Sequence, residues 1–170
     1  FRVRPDLNVI EAVPGFSQGG ACDTEFGERL LSLPTSPVRQ TVLGQPAPGL
    51  IEDVSILEWF EFGRIWPIGT PQKRFGAGAD GYFTAARGLA CYVGDVAPKY
   101  ENNAFVCEPL GNLVHRRVLT RRGSVLVAKR GESGSEFLAS SDEWFRPVNV
   151  ATGPDGALYT CGLFAWAGNA

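Results

Sequence analysis

The 170-residue sequence contains no methionine, one histidine and four cysteines, and each scarcity closes off a class of chemistry. Cys22, Cys91, Cys107 and Cys161 stand far apart, with no C-x-x-C pair and no C-x-x-C-H haem attachment motif. His115 is the one imidazole, so a zinc site with its usual close ligand spacing is not expected. The thiols fit small buried groups near strand ends, with one or two bridges in an oxidising compartment as the alternative. Net charge is small too. Sixteen basic and eighteen acidic side chains leave −2, which gives no electrostatic footprint for nucleic acid or an anionic bilayer. No apolar run approaches the roughly 18 residues of a spanning helix, so no transmembrane segment is expected. The lack of methionine, with Phe1 at the start, points to an excerpt of something longer.

Glycine and proline are plentiful, at 21 and 12 residues, which favours many short strands joined by turns. A hydrophobic fraction of 44% excludes disorder and suffices for one core. Apolar runs of about strand length, bounded by Gly, Pro, Asn or Asp, lie at 21–22, 29–33, 38–43, 89–93, 104–107, 113–119, 124–128, 137–139, 148–151 and 157–161. Residues 54–66 fit neither strand nor helix period cleanly; an extended, aromatic-rich excursion is expected there, with a short helix as the alternative.

Two internal repeats shape the expected architecture. Residues 29–43 (RLLSLPTSPVRQTVL) and 104–119 (AFVCEPLGNLVHRRVL) both run from an apolar strand through a proline-bearing turn into a basic-containing strand ending in Val-Leu. A weaker repeat sets residues 15–30 against 144–159, with Gly27 matching Gly156. Recurrent antiparallel strands of this kind suggest blades that must stack to bury both faces. The expected fold class is all-β, a fragment of a β-propeller. Two to three four-stranded antiparallel blades would form an incomplete ring, as one partial domain over 1–170 with an irregular insertion at about 44–80.

Residues 103–119 (NAFVCEPLGNLVHRRVL), 136–148 (EFLASSDEWFRPV) and 153–159 (GPDGALY), supported by 82–86 (YFTAA), 92–95 (YVGD) and more loosely 1–6 (FRVRPD), resemble the membrane-bound dehydrogenase family of planctomycete-type bacteria. That resemblance implies a propeller akin to the quinoprotein glucose/sorbosone dehydrogenases, oxidising a sugar or alcohol. It implies pyrroloquinoline quinone (PQQ) and Ca²⁺ as cofactors and a periplasmic or cell-envelope location in a bacterium. It also implies a haem c domain or cytochrome, outside this excerpt, as electron acceptor. A non-catalytic propeller binding glycan or protein is the rival. The sequence departs from the family at three places: Tyr82 replaces a histidine, Arg87 replaces a cysteine, and residues 160–166 replace an Asp and a Tyr-Arg pair.

With 89–93 as innermost strand, 104–107 second and 113–119 third, the links at 17–18, 82–87, 108–112 and 140–146 should open on one face near the channel. Arg146, Arg87, Asn112 and Gln18 are the candidate cofactor-binding residues, since a guanidinium fork suits the carboxylates of PQQ. Asp142 and Glu108 are the candidate Ca²⁺ ligands. The structural alternatives are that Arg146 cross-links blades through backbone carbonyls and that Glu108 and Asp142 cap turns. His115 is expected to pack rather than act as a base. Arg116, Arg117, Arg121, Arg122 and Lys129 should form a solvated outer edge. Trp59, Trp66, Trp144 and Trp166 should pack between blades, with sugar stacking as the alternative.

Overall fold

Short alternating strands dominate the computed structural model, which describes residues 1–12, 17–41, 53–54, 63–69, 81–123 and 125–163. Among these residues the chain is all-β, with a single 3-10 turn at Pro98–Tyr100. A hairpin of β1 (Arg2–Arg4) and β2 (Val9–Glu11) comes first. The strands β3 (Gly20–Asp23), β4 (Arg29–Leu33), β5 (Ser36–Thr41) and β6 (Asp53–Val54) then make an antiparallel sheet in chain order. A second sheet runs β7 (Arg87–Cys91), β8 (Asn103–Glu108), β9 (Leu113–Arg122) and β10 (Val125–Arg130), again in chain order. The last is the hairpin of β12 (Pro147–Thr152) and β13 (Leu158–Gly162).

The second sheet carries a fifth strand that strand spotting did not anticipate as a partner of β9. Strand β10 covers β9 only from Arg117 to Arg122, which leaves the near end of a ten-residue strand open; β11 (Leu138–Ala139) fills it at Leu113 and Val114. Other boundaries moved less. The run at 38–43 starts earlier, at Ser36, and the run at 89–93 begins at Arg87. Most of the expected insertion at 44–80 lies outside the described residues, as do Trp59 and Trp166.

The second sheet is the middle of the molecule because both its faces are covered. Every residue of β8 is buried, and by the two-residue period of a strand its side chains divide between two cores. Ala104 and Val106 join Leu30, Val38, Phe83 and Leu113 on the side of the first sheet. Phe105 and Cys107 join Tyr92, Val114 and Val150 on the side of the last hairpin. A strand buried on both faces needs apolar residues at successive positions, which the sequence AFVC at 104–107 supplies.

The first strands of the two larger sheets and of the last hairpin are neighbours. Strand β7 packs between β3 and β12. The Gly88 N–H donates to the Gly19 carbonyl at 2.8 Å, and a Cβ on Gly88 would stand 2.5 Å from the Val148 oxygen. Gly88 also has φ +61°, a conformation that only glycine adopts without strain. Both properties set how closely the sheets approach. Farther out, the buried Gln40 of β5 accepts the Leu126 N–H of β10 at 2.6 Å and holds the two larger sheets together.

Candidate functional site

Four links meet along one end of the sheets. The Ala86 N–H donates to the Pro34 carbonyl at 3.0 Å and the Gly88 N–H to Gly19, so residues 84–88 sit against the β4–β5 turn and the start of β3. Residues 84–85 in turn sit on the β8–β9 turn. Glu108 lies wholly buried, and its carboxylate accepts N–H groups from Ala85 at 2.9 Å, Thr84 at 3.2 Å and Leu110 at 3.3 Å. Burial pushes the Glu108 carboxyl above its ordinary range, and the three N–H donors and the nearby Arg87 hold part of that rise back.

The same turn reaches the loop at 140–146. Asn112 has φ +54°, which asparagine tolerates better than most residues, and this bends the chain back into β9. Its carbonyl accepts the Ser140 N–H at 2.9 Å, and its side-chain Nδ2 donates to the Asp142 carbonyl at 3.1 Å. Arg146 Nη1 donates to the Pro109 carbonyl at 3.3 Å. Asp142 Oδ1 accepts the Trp144 N–H at 2.9 Å, a local turn of the kind aspartate favours. One atom is left over: Asn112 Oδ1 is buried and has no hydrogen-bond partner among the described residues. A buried acceptor without a donor costs roughly 1–3 kcal/mol, so something else has reason to supply one.

Over residues 1–166 the chain matches the family model of a domain of unknown function, DUF7133. The chain belongs to the DUF7133 family. No curated protein matches it, and no solved structure does.

In this DUF7133 domain the side chains picked from sequence fall into two groups. Arg146, Asn112, Asp142 and Glu108 lie on two touching turns, and Arg87 joins them through residues 84–85, where its Nε donates to the Ala85 carbonyl at 3.1 Å. Gln18 stands at the far end of the series; its side chain is exposed and its N–H bonds the Ser32 carbonyl at 3.3 Å. As Ca²⁺ ligands Glu108 and Asp142 do not fit. Both Glu108 oxygens already accept backbone N–H groups, and no cluster of three His, Cys, Asp or Glu side chains suited to a metal exists among the described residues. Arg87 and Arg146 do fit a carboxylate in donor terms, because the bond to the Ala85 or Pro109 carbonyl uses one N–H of a five-donor fork.

The basic run expected at a solvated edge is only partly there. Arg121, Arg122 and Lys129 are exposed, but Arg117 is buried. Arg116 is half-buried, donating to Glu132 at 2.7 Å and Asn103 at 2.6 Å. The alternation of β9 explains this: Leu113, His115, Arg117 and Leu119 face the first sheet, while Val114 and Arg116 face the last hairpin. His115 itself packs edge-on against Phe83 at 5.3 Å and pairs with Glu136, a residue that sequence reading left without a role. No local motif joins them, since 21 residues separate the pair. Trp66 stacks beneath Arg130, 4.0 Å from the ring centroid, whereas Trp144 is half exposed.

Proposed function

We propose that this DUF7133 chain is part of a β-propeller of the quinoprotein sugar or alcohol dehydrogenase type, and that its loop side at 84–88, 108–112 and 140–146 faces the ligand. Sheets whose first strands stand side by side, with same-end loops in a continuous series, support a blade arrangement. Sheets of two and five strands depart from regular four-stranded blades. The observation that carries the ligand reading is the buried, unpartnered Asn112 Oδ1 beside Arg146 and Asp142. A polyol hydroxyl would donate to it, while the guanidinium forks of Arg146 and Arg87 would meet carboxylates. When bound, PQQ would supply the two-electron redox chemistry. The chain's own residues would orient it, and the electrons would leave to a haem c domain or cytochrome. A bacterial periplasm or cell envelope is the setting that this reading implies.

A second reading, a propeller that binds a glycan or protein without transforming it, draws on the carboxylates. Glu108 and Asp142 are engaged with backbone N–H groups, and Tyr82 stands where the resembled family has histidine. The whole protein, supplied with PQQ and Ca²⁺, separates the two. Dye reduction with a sugar or alcohol supports the dehydrogenase; silence across a broad panel, together with retained glycan binding, supports the alternative.

A further inference from the structure

Two cysteines from different sheets meet beside a cleft. Cys22 of β3 and Cys91 of β7 have their Sγ atoms 3.4 Å apart although 69 residues separate them in the chain. Both are free and half-buried. The glycines at the other end of this strand contact explain why the thiols can come so close. A Cβ on Gly20 would lie 2.8 Å from the Leu89 nitrogen, so its absence lets the β3 and β7 backbones converge. Cys91 also lines a cleft of about 630 Å³ whose walls include Phe26, Tyr92, Asn102 and Arg121.

We propose that Cys22 and Cys91 are a redox-reversible dithiol that closes to a disulfide tying the first sheet to the middle sheet. Closing the bond needs the sulfurs to approach by little more than an ångström, to the usual length of about 2.05 Å. The oxidant is a low-molecular-weight disulfide arriving through the cleft. Cys91 thiolate attacks it, its S–S bond breaks, and one small thiol leaves with a proton. Cys22 then gives up its proton and attacks Cys91 Sγ, and the second small thiol leaves. Two protein thiols are oxidised and one small disulfide is reduced to two thiols, so electrons and protons balance. The order of attack follows from the environment. The Cys22–Cys91 hydrogen bond holds the Cys91 thiol below its ordinary range and the Cys22 thiol far above it, so Cys91 is the nucleophile and Cys22 the resolving partner.

Oxidised glutathione is the probe, used on a C161S chain because Cys161 is exposed and would react on its own account. Peptide mapping should then find a linked 22–91 peptide in place of the two free ones. The melting temperature should rise by roughly 5–15 °C, as expected for a bond closing so long a loop, and dithiothreitol should reverse both changes. In a C22S, C161S chain the reaction should stop at a stable glutathione adduct on Cys91. Free thiols at both positions after oxidation would overturn the proposal. So would a glutathione adduct on Cys91 that never resolves in the chain retaining Cys22.

Discussion

His115 Nδ1 and Glu136 Oε2 lie 2.6 Å apart, and neither side chain reaches solvent. The pair is completed from three directions. Arg130 donates to Glu136 Oε1 at 3.1 Å, the Trp66 N–H donates to the same oxygen at 2.9 Å, and Phe83 closes over the imidazole. Arg130 also reaches the Arg64 carbonyl. His115 Nε2 has no partner among the described residues. A neutral ring donating from Nδ1 leaves only a bare lone pair there, whereas an imidazolium would strand a buried N–H. Burial accordingly pushes the His115 pKa down to about 4, against the upward pull of Glu136.

Acid should therefore loosen the fold before the carboxylates titrate. The folded histidine stays neutral while the unfolded one, near 6.5, takes a proton, so stability is complete above that value and falls as pH drops toward 4. Urea unfolding should show a loss of about 2 kcal/mol between pH 7.5 and pH 5. Glu136, whose carboxyl is held down by its bonds to His115 and Arg130 despite burial, adds to the loss at lower pH. Equal stability at the two pH values would show that burial does not hold the His115 pKa below its unfolded value.

Removing the anion should cost more than removing surface pairs. E136A leaves Arg130 and the Trp66 N–H without their carboxylate, and the expected destabilisation is about 3–5 kcal/mol by chemical denaturation. The exposed Arg29–Asp23 pair at 3.0 Å is the comparison: R29A should cost about 1 kcal/mol or less.

Gly88 and Gly123 separate backbone strain from crowding. Both have positive φ, +61° and +66°, but a Cβ on Gly123 meets nothing within 4 Å while one on Gly88 strikes the β12 backbone. G123A should cost about 1 kcal/mol and G88A about 3 kcal/mol or more. Similar losses would mean that β7 and β12 are not in close contact.

Glu108 can be tested as a brace. E108A strands three backbone N–H groups in the interior and should destabilise by about 3 kcal/mol or more. Calcium should leave the melting temperature of the unaltered chain where it was. A calcium-dependent rise that E108A abolishes would return Glu108 to the role of metal ligand.

The strands were legible because their residues alternate or run apolar between turn formers: β7 to β10 lie in the expected order, and the two repeats fall at equivalent places in their sheets. Gly27 and Gly156 sit in matching hairpin turns with φ of +83° and +76°. What sequence could not disclose are pairings made across space. Arg117 resembles its exposed neighbour Arg121 in every local respect, and only the packing of a second sheet over β9 buries it. Glu108 carries the same ambiguity in reverse: a carboxylate in a turn between strands suits a metal as well as it suits N–H groups, and the choice depends on residues 84–85 arriving from another link.

The most direct test of the ligand-facing loop side is an equilibrium titration of the whole protein with PQQ, followed by tryptophan fluorescence. Saturable binding should weaken at least about tenfold, or roughly 1.4 kcal/mol, in R146A and in R87A, while R122A on the outer edge leaves it unchanged. Binding that is indifferent to both arginines, or no binding at all, would contradict the account.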